Sequence, residues 1–99
     1  MGTRSTLVIV RASSSTSQDE QWWLIAHQLG LRLQRARIAK GLSQEALAHA
    51  AGISTYTYQK FEKGESRPGT PMNPRLRTLI ALATALDMRV EELVGELSE

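Results

Sequence analysis

The chain has 99 residues, 41% of them hydrophobic, and a net charge of +2, enough for one small core and one domain. It has no cysteine, which excludes disulfides, thiol catalysis and cysteine-held zinc. No apolar run reaches membrane-spanning length and Leu7–Val10 lacks the flanks of a secretory signal, so a soluble, cytoplasmic protein is expected.

Residues 1–17 show no helical period and are expected to form a flexible tail, with residues 18–99 as the domain. Thr6 to Val10 reads either as an apolar patch on that tail or as a short strand over 6–10. A lone strand has nothing to pair with in a helical chain, and would need a second subunit or a partner protein. The Ser-rich stretch from Arg11 to Gln18 reads as a linker.

Ser17-x-x-Glu20 has the form of a capping box and predicts a helix over about 18–40. Trp22, Ile25, Ala26, Leu29, Leu33 and Ala36 give it an apolar stripe at helical spacing, and Gly41 stops it. Gly30 weakens this helix by about 1 kcal/mol relative to alanine, which allows a break there. The adjacent Trp22 and Trp23 cannot both face one core, which makes the pair a candidate dimer contact.

Two short helices follow, over about 43–51 and 54–63. Ser43 caps the first, Leu47, Ala48 and Ala51 face inward, and Gly52 ends it with a positive φ. Ile53 fills the corner, Ser54 caps the second helix, and Tyr58 and Phe61 form its inward face. A small residue at 48, glycine at 52 and a new cap at 54 make the pattern of a helix-turn-helix.

Residues 65–73 read as an irregular loop. Asn73-Pro74 is expected to start a helix over about 74–86, with Leu76, Leu79, Ile80, Ala83 and Leu86 inward. A last helix over about 90–97 would turn Val90, Leu93 and Leu97 inward or towards an interface. Charge is uneven: Arg67, Arg75 and Arg77 stand in the middle, whereas Asp87, Glu91, Glu92, Glu96 and Glu99 crowd the end. Such a distribution suits a protein with one side on phosphates.

The segments Leu42-Ser43-Gln44-Glu45, Leu47-Ala48, Gly52-Ile53-Ser54 and Phe61-Glu62-Lys63-Gly64 resemble the Cro/cI-like (XRE) helix-turn-helix family. The resemblance implies an all-α, compact five-helix lambda-repressor-like domain, here with an N-terminal extension. It implies a dimeric regulator, a repressor by expectation, that binds double-stranded DNA in a sequence-specific way. The alternative within the family is an antitoxin that binds a toxin through its N-terminal extension and represses its own operon. The resemblance further implies that Arg37 pairs with Glu62 as a structural tie, and that Gly69–Asn73 is an insertion. Asp87-Met88 replaces the family's usual Gly-Val corner.

On the general helix-turn-helix scheme, the second helix of the motif enters the major groove. Thr55, Tyr56, Gln59 and Lys60 then face the bases, with chemistry suited to guanine, adenine and thymine-methyl contacts. Gln44 at a helix N-terminus, with Thr57, Lys63, Arg67 and Arg75, is expected on the DNA backbone. His27 and His49 stand alone on their helices, so no enzyme activity, metal site or cofactor is expected.

Overall fold

The apolar stripe through Leu33 forms one long helix, α1 (Ser15–Ala39), which begins ahead of the expected start near Gln18. There follow α2 (Gln44–Ala51), α3 (Thr55–Lys63), α4 (Leu76–Ala85) and α5 (Val90–Val94). The computed structural model describes residues 15–95; the expected strand over 6–10, the Ser17 side chain and Leu97 lie outside the described residues. The fold is all-α with five helices. Among the described residues its one addition is an antiparallel hairpin of β1 (Glu65–Arg67) and β2 (Thr70–Pro71), where the sequence reads as an irregular loop.

Each helix sends one large side chain to the centre: Leu33, Leu47, Tyr58, Leu82 and Leu93 are fully buried. Burying a side chain of that size contributes about 1.5–3 kcal/mol, so these five positions make the fold cooperative across all its helices. Gly30 does not break α1. It lies where α3 crosses, and a Cβ there would sit 2.5 Å from the Glu62 carbonyl oxygen. Glycine is present to admit another backbone.

α4 departs from its expected start at Asn73-Pro74. The Met72 N–H donates to the Gly64 carbonyl at 2.8 Å, and the Met72 carbonyl accepts from the Trp22 indole at 3.0 Å. These bonds hold the chain at the exit of the hairpin, and Asn73, being before proline, is disfavoured from helix. The helix therefore starts at Leu76 with Arg75 as its N-cap. Leu82, Ala83 and Leu86 are buried, whereas Leu76 and Ile80 are 65% and 47% exposed, a correction to the inward face expected for them. α5 likewise stops at Val94, short of 97, where Arg32 Nη1 donates to the Val94 carbonyl at 2.9 Å.

The corner between α4 and α5 carries the one non-glycine residue with positive φ among the described residues, Asp87 at 57°. Aspartate tolerates this region better than most residues but still incurs strain. Its exposed ion pair with Lys40 returns little. Asp87→Gly is therefore expected to raise stability by about 1 kcal/mol, read as a higher melting temperature. An unchanged or lower melting temperature would mean that the Lys40 pair outweighs the strain.

Candidate nucleic-acid interface

The helix-turn-helix corner is built from local chemistry. Ser43 Oγ accepts the Ala46 N–H at 3.0 Å, and Ser54 Oγ accepts the Thr57 N–H at 3.0 Å. Gly52 takes φ 76°, and its N–H and that of Ile53 close on the carbonyls of His49 and Ala48. Both helix ends are thus satisfied within a very few residues, which fixes the angle between α2 and α3.

α3 divides sharply into two faces. Tyr58 and Phe61 are buried, while Tyr56 is 68% exposed and Gln59 is exposed beside it. Thr55 and Lys60 are half-buried at the edge of that outer face. Lys60 folds over the Tyr56 ring, its Nζ 4.3 Å from the centroid, a cation–π contact that places the cation on the outer surface. The Thr57 hydroxyl accepts from Ser54 at 3.0 Å, which leaves its proton free to donate outward.

Beneath this face runs a polar network that joins three helices. Arg37 Nε donates to Glu62 Oε2 at 2.7 Å, and Arg37 Nη1 donates to the Leu42 carbonyl at 2.9 Å. The Tyr58 hydroxyl donates to the same Glu62 carboxylate, and Gln44 Nε2 donates to Glu62 Oε1 at 2.9 Å. Gln59 Nε2 then donates to Gln44 Oε1 at 3.1 Å. Burial alone would push the Glu62 carboxyl up, but the hydrogen bonds from Arg37, Tyr58 and Gln44 prevail and hold it below the ordinary carboxylate value. Burial, helped by the bond to Glu62, pushes the Tyr58 hydroxyl well above its ordinary value, so it serves as a donor.

On sequence alone Gln44 is expected on a phosphate and Gln59 on a base, as separate actors. The structure brings them together, with both ends of the Gln44 amide engaged. Gln44 retains a second amide proton and its place at the α2 N-terminus for an anion. Nothing in the sequence marks this link, because the two residues are fifteen positions apart and neither spacing nor charge announces an amide pair.

Besides Lys60, the basic residues lie at the end of α3 and around it. Lys63 is exposed at its end, Arg67 is exposed at the end of β1, and Arg75 is exposed at the α4 N-cap. Trp22 and Trp23 lie on α1 and are both half-buried, and the Trp22 indole is tied to Met72 within the chain. Among the described residues no group of His, Cys, Asp and Glu is arranged to hold a metal ion, and no helix is long and apolar enough to cross a membrane.

The sequence matches the model of a helix-turn-helix domain family over residues 28–97. It is 34% identical over 64 residues to the cryptic phage CTXphi transcriptional repressor RstR of Vibrio cholerae, covering 65% of this chain and 52% of that one. It is 33% identical over 55 residues to the SPbeta prophage-derived uncharacterized HTH-type transcriptional regulator YonR of Bacillus subtilis, covering 56% and 51%. The chain thus spans about half the length of these two relatives. Among solved structures it resembles the restriction-modification controller protein C.AhdI of Aeromonas hydrophila. That match has 38% identity and a TM-score of 0.61, and covers 69% of this chain and 94% of that one.

Proposed function

This chain belongs to the helix-turn-helix domain family, and from that premise we propose that it is a transcriptional regulator that binds double-stranded DNA by laying α3 in the major groove. One observation carries the reading above the rest. The outer face of α3 is open, polar and aromatic, and its Gln59 is braced through Gln44 and Glu62 to Arg37 on α1. A side chain held in this way loses less rotamer entropy when it meets a base.

Thr55, Tyr56, Gln59 and Lys60 are assigned to base edges. Gln44, Thr57, Lys63, Arg67 and Arg75 are assigned to the phosphate backbone, with Arg67 carried outward by the hairpin. A single unit reads too few base pairs for a genome, so the working form is a two-fold dimer on half-sites about 34 Å apart. Repression is the direction of control favoured by the named repressor among the relatives.

Selection of bound sequences from random duplex DNA tests the reading directly, and loss of all sequence preference would end it. On the selected site, Lys60→Ala or Gln59→Ala should weaken binding at one base position by about 1–3 kcal/mol and spare mutated sites. Arg67→Ala should weaken all sequences alike and flatten the salt dependence by about 0.9 in log–log slope. Equal losses on selected and scrambled DNA for all three would reject the division of roles. Because Gln44 holds Gln59, Gln44→Ala is expected to lose both affinity and preference.

A further inference from the structure

The side of α1 turned away from the core is unexpectedly apolar. Leu24, Leu31 and Ile38 stand seven residues apart and are 62%, 36% and 60% exposed. Single exposed leucines need no explanation, but here three apolar side chains recur on one helical stripe, with His27, Gln28, Gln34 and Arg35 exposed between them. Two hollows lie along it. One, of about 530 Å³, is lined by Glu20, Trp23, Leu24 and His27. The other, of about 230 Å³, is lined by Gln28, Leu31, Arg32 and Arg35.

The two linings follow one another along α1, each with a leucine near its middle and a charged residue at its outer end. Turning α1 end for end about the point between His27 and Gln28 brings Glu20 level with Arg35 and Leu24 level with Leu31 on the same face. We propose that this face is a homodimer interface, in which two copies of α1 pack antiparallel about a two-fold axis through that point. The proposal rests on the two-fold working form given above and supplies its contact surface.

The paired chemistry is complementary at each step. Glu20 faces the partner's Arg35 with opposite charge, and Leu24 faces the partner's Leu31 across the apolar seam. Two-fold symmetry makes every such contact twice. A parallel in-register pair would instead set Glu20 on Glu20 and Arg35 on Arg35. An antiparallel pair centred on Leu31 would leave Glu20 beyond the end of the partner helix and place Arg35 against His27.

The arrangement also orients the two copies of α3 alike. α3 crosses α1 at Gly30, about 100° round the helix from Leu31. A two-fold axis perpendicular to both copies of α1 keeps both copies of α3 on one side of the pair.

Sedimentation velocity of the full chain across a concentration series, without DNA, tests the proposal. Glu20→Arg and Arg35→Glu, each alone, should raise the dimer Kd by about tenfold or more through like-charge contact. The double variant, with the charges exchanged, should return Kd to within a few-fold of the parent. Both residues are exposed, so unchanged circular dichroism is expected and separates dissociation from unfolding. Leu31→Asp should give monomer with no rescue by the charge swap. A dimer insensitive to all these variants would overturn this interface while leaving the two-fold form standing. A parent chain that stays monomeric at every concentration would overturn both.

Discussion

Glu62→Gln is expected to destabilise the fold by about 3 kcal/mol at neutral pH, since it leaves Arg37 without its carboxylate. The Glu62 side chain is 8% exposed and that of Arg37 13%, so water screens the pair poorly and cannot replace it. Solvent-exposed pairs such as Arg89–Glu91 contribute far less, and their loss should be barely measurable. The expected loss is read by urea unfolding of parent and variant.

The pH dependence follows from the depressed Glu62 value. A carboxyl whose folded pKa lies below its unfolded value of about 4.3 contributes stability that is fully present above that value. The contribution fades as pH falls through the folded value, because the carboxyl must then protonate in the native state. The gap in stability between parent and Glu62→Gln should therefore be widest at neutral pH and close in acid. A gap that stayed constant down to about pH 2 would mean that Glu62 acts through shape rather than charge.

The same substitution should reach DNA binding. Glu62 orders Gln44, and Gln44 orders Gln59. The amide of glutamine at 62 retains one acceptor oxygen where the carboxylate has two, so it cannot serve Arg37, Tyr58 and Gln44 together. A loss of base preference at the Gln59 position is expected even where the protein remains folded.

What the sequence disclosed was chiefly what is local. Ser43, Gly52 and Ser54 act within three or four residues of themselves, so the corner could be read from their spacing. The tie of Arg37 to Glu62 spans twenty-five positions and came from family resemblance alone. The hairpin is not legible in the sequence, because Pro68 and Gly69 read as breakers. Its closure depends on Met72 reaching back to Gly64, a partner that no periodicity names. Leu76 and Ile80 read as inward because they are apolar and suitably spaced. With the helix starting at Leu76, the stripe of Leu79, Leu82, Ala83 and Leu86 is already complete, and those two fall to its flank.

Gly30→Ala carries the other large effect, and its direction opposes simple helix propensity. On an isolated helix the change would stabilise by about 1 kcal/mol. Here the new methyl would lie 2.5 Å from the Glu62 carbonyl oxygen and 2.6 Å from that of Phe61. Carbon and oxygen in ordinary contact stand well beyond that, at about 3.5 Å, so the end of α3 must move by roughly 1 Å. Both obstacles are backbone, so no side-chain rotamer relieves the overlap, and a net loss of about 3 kcal/mol is expected. Gly41→Ala supplies the contrast, since it has open space around it and a φ of 76°. Its loss of about 1–2 kcal/mol would come from backbone strain alone and leave α3 in place. DNA affinity corrected for the folded fraction should then fall for Gly30→Ala and hold for Gly41→Ala. Were Gly30→Ala as stable as the parent, α1 and α3 would not meet backbone to backbone, and α1 would cease to be what holds α3 in position.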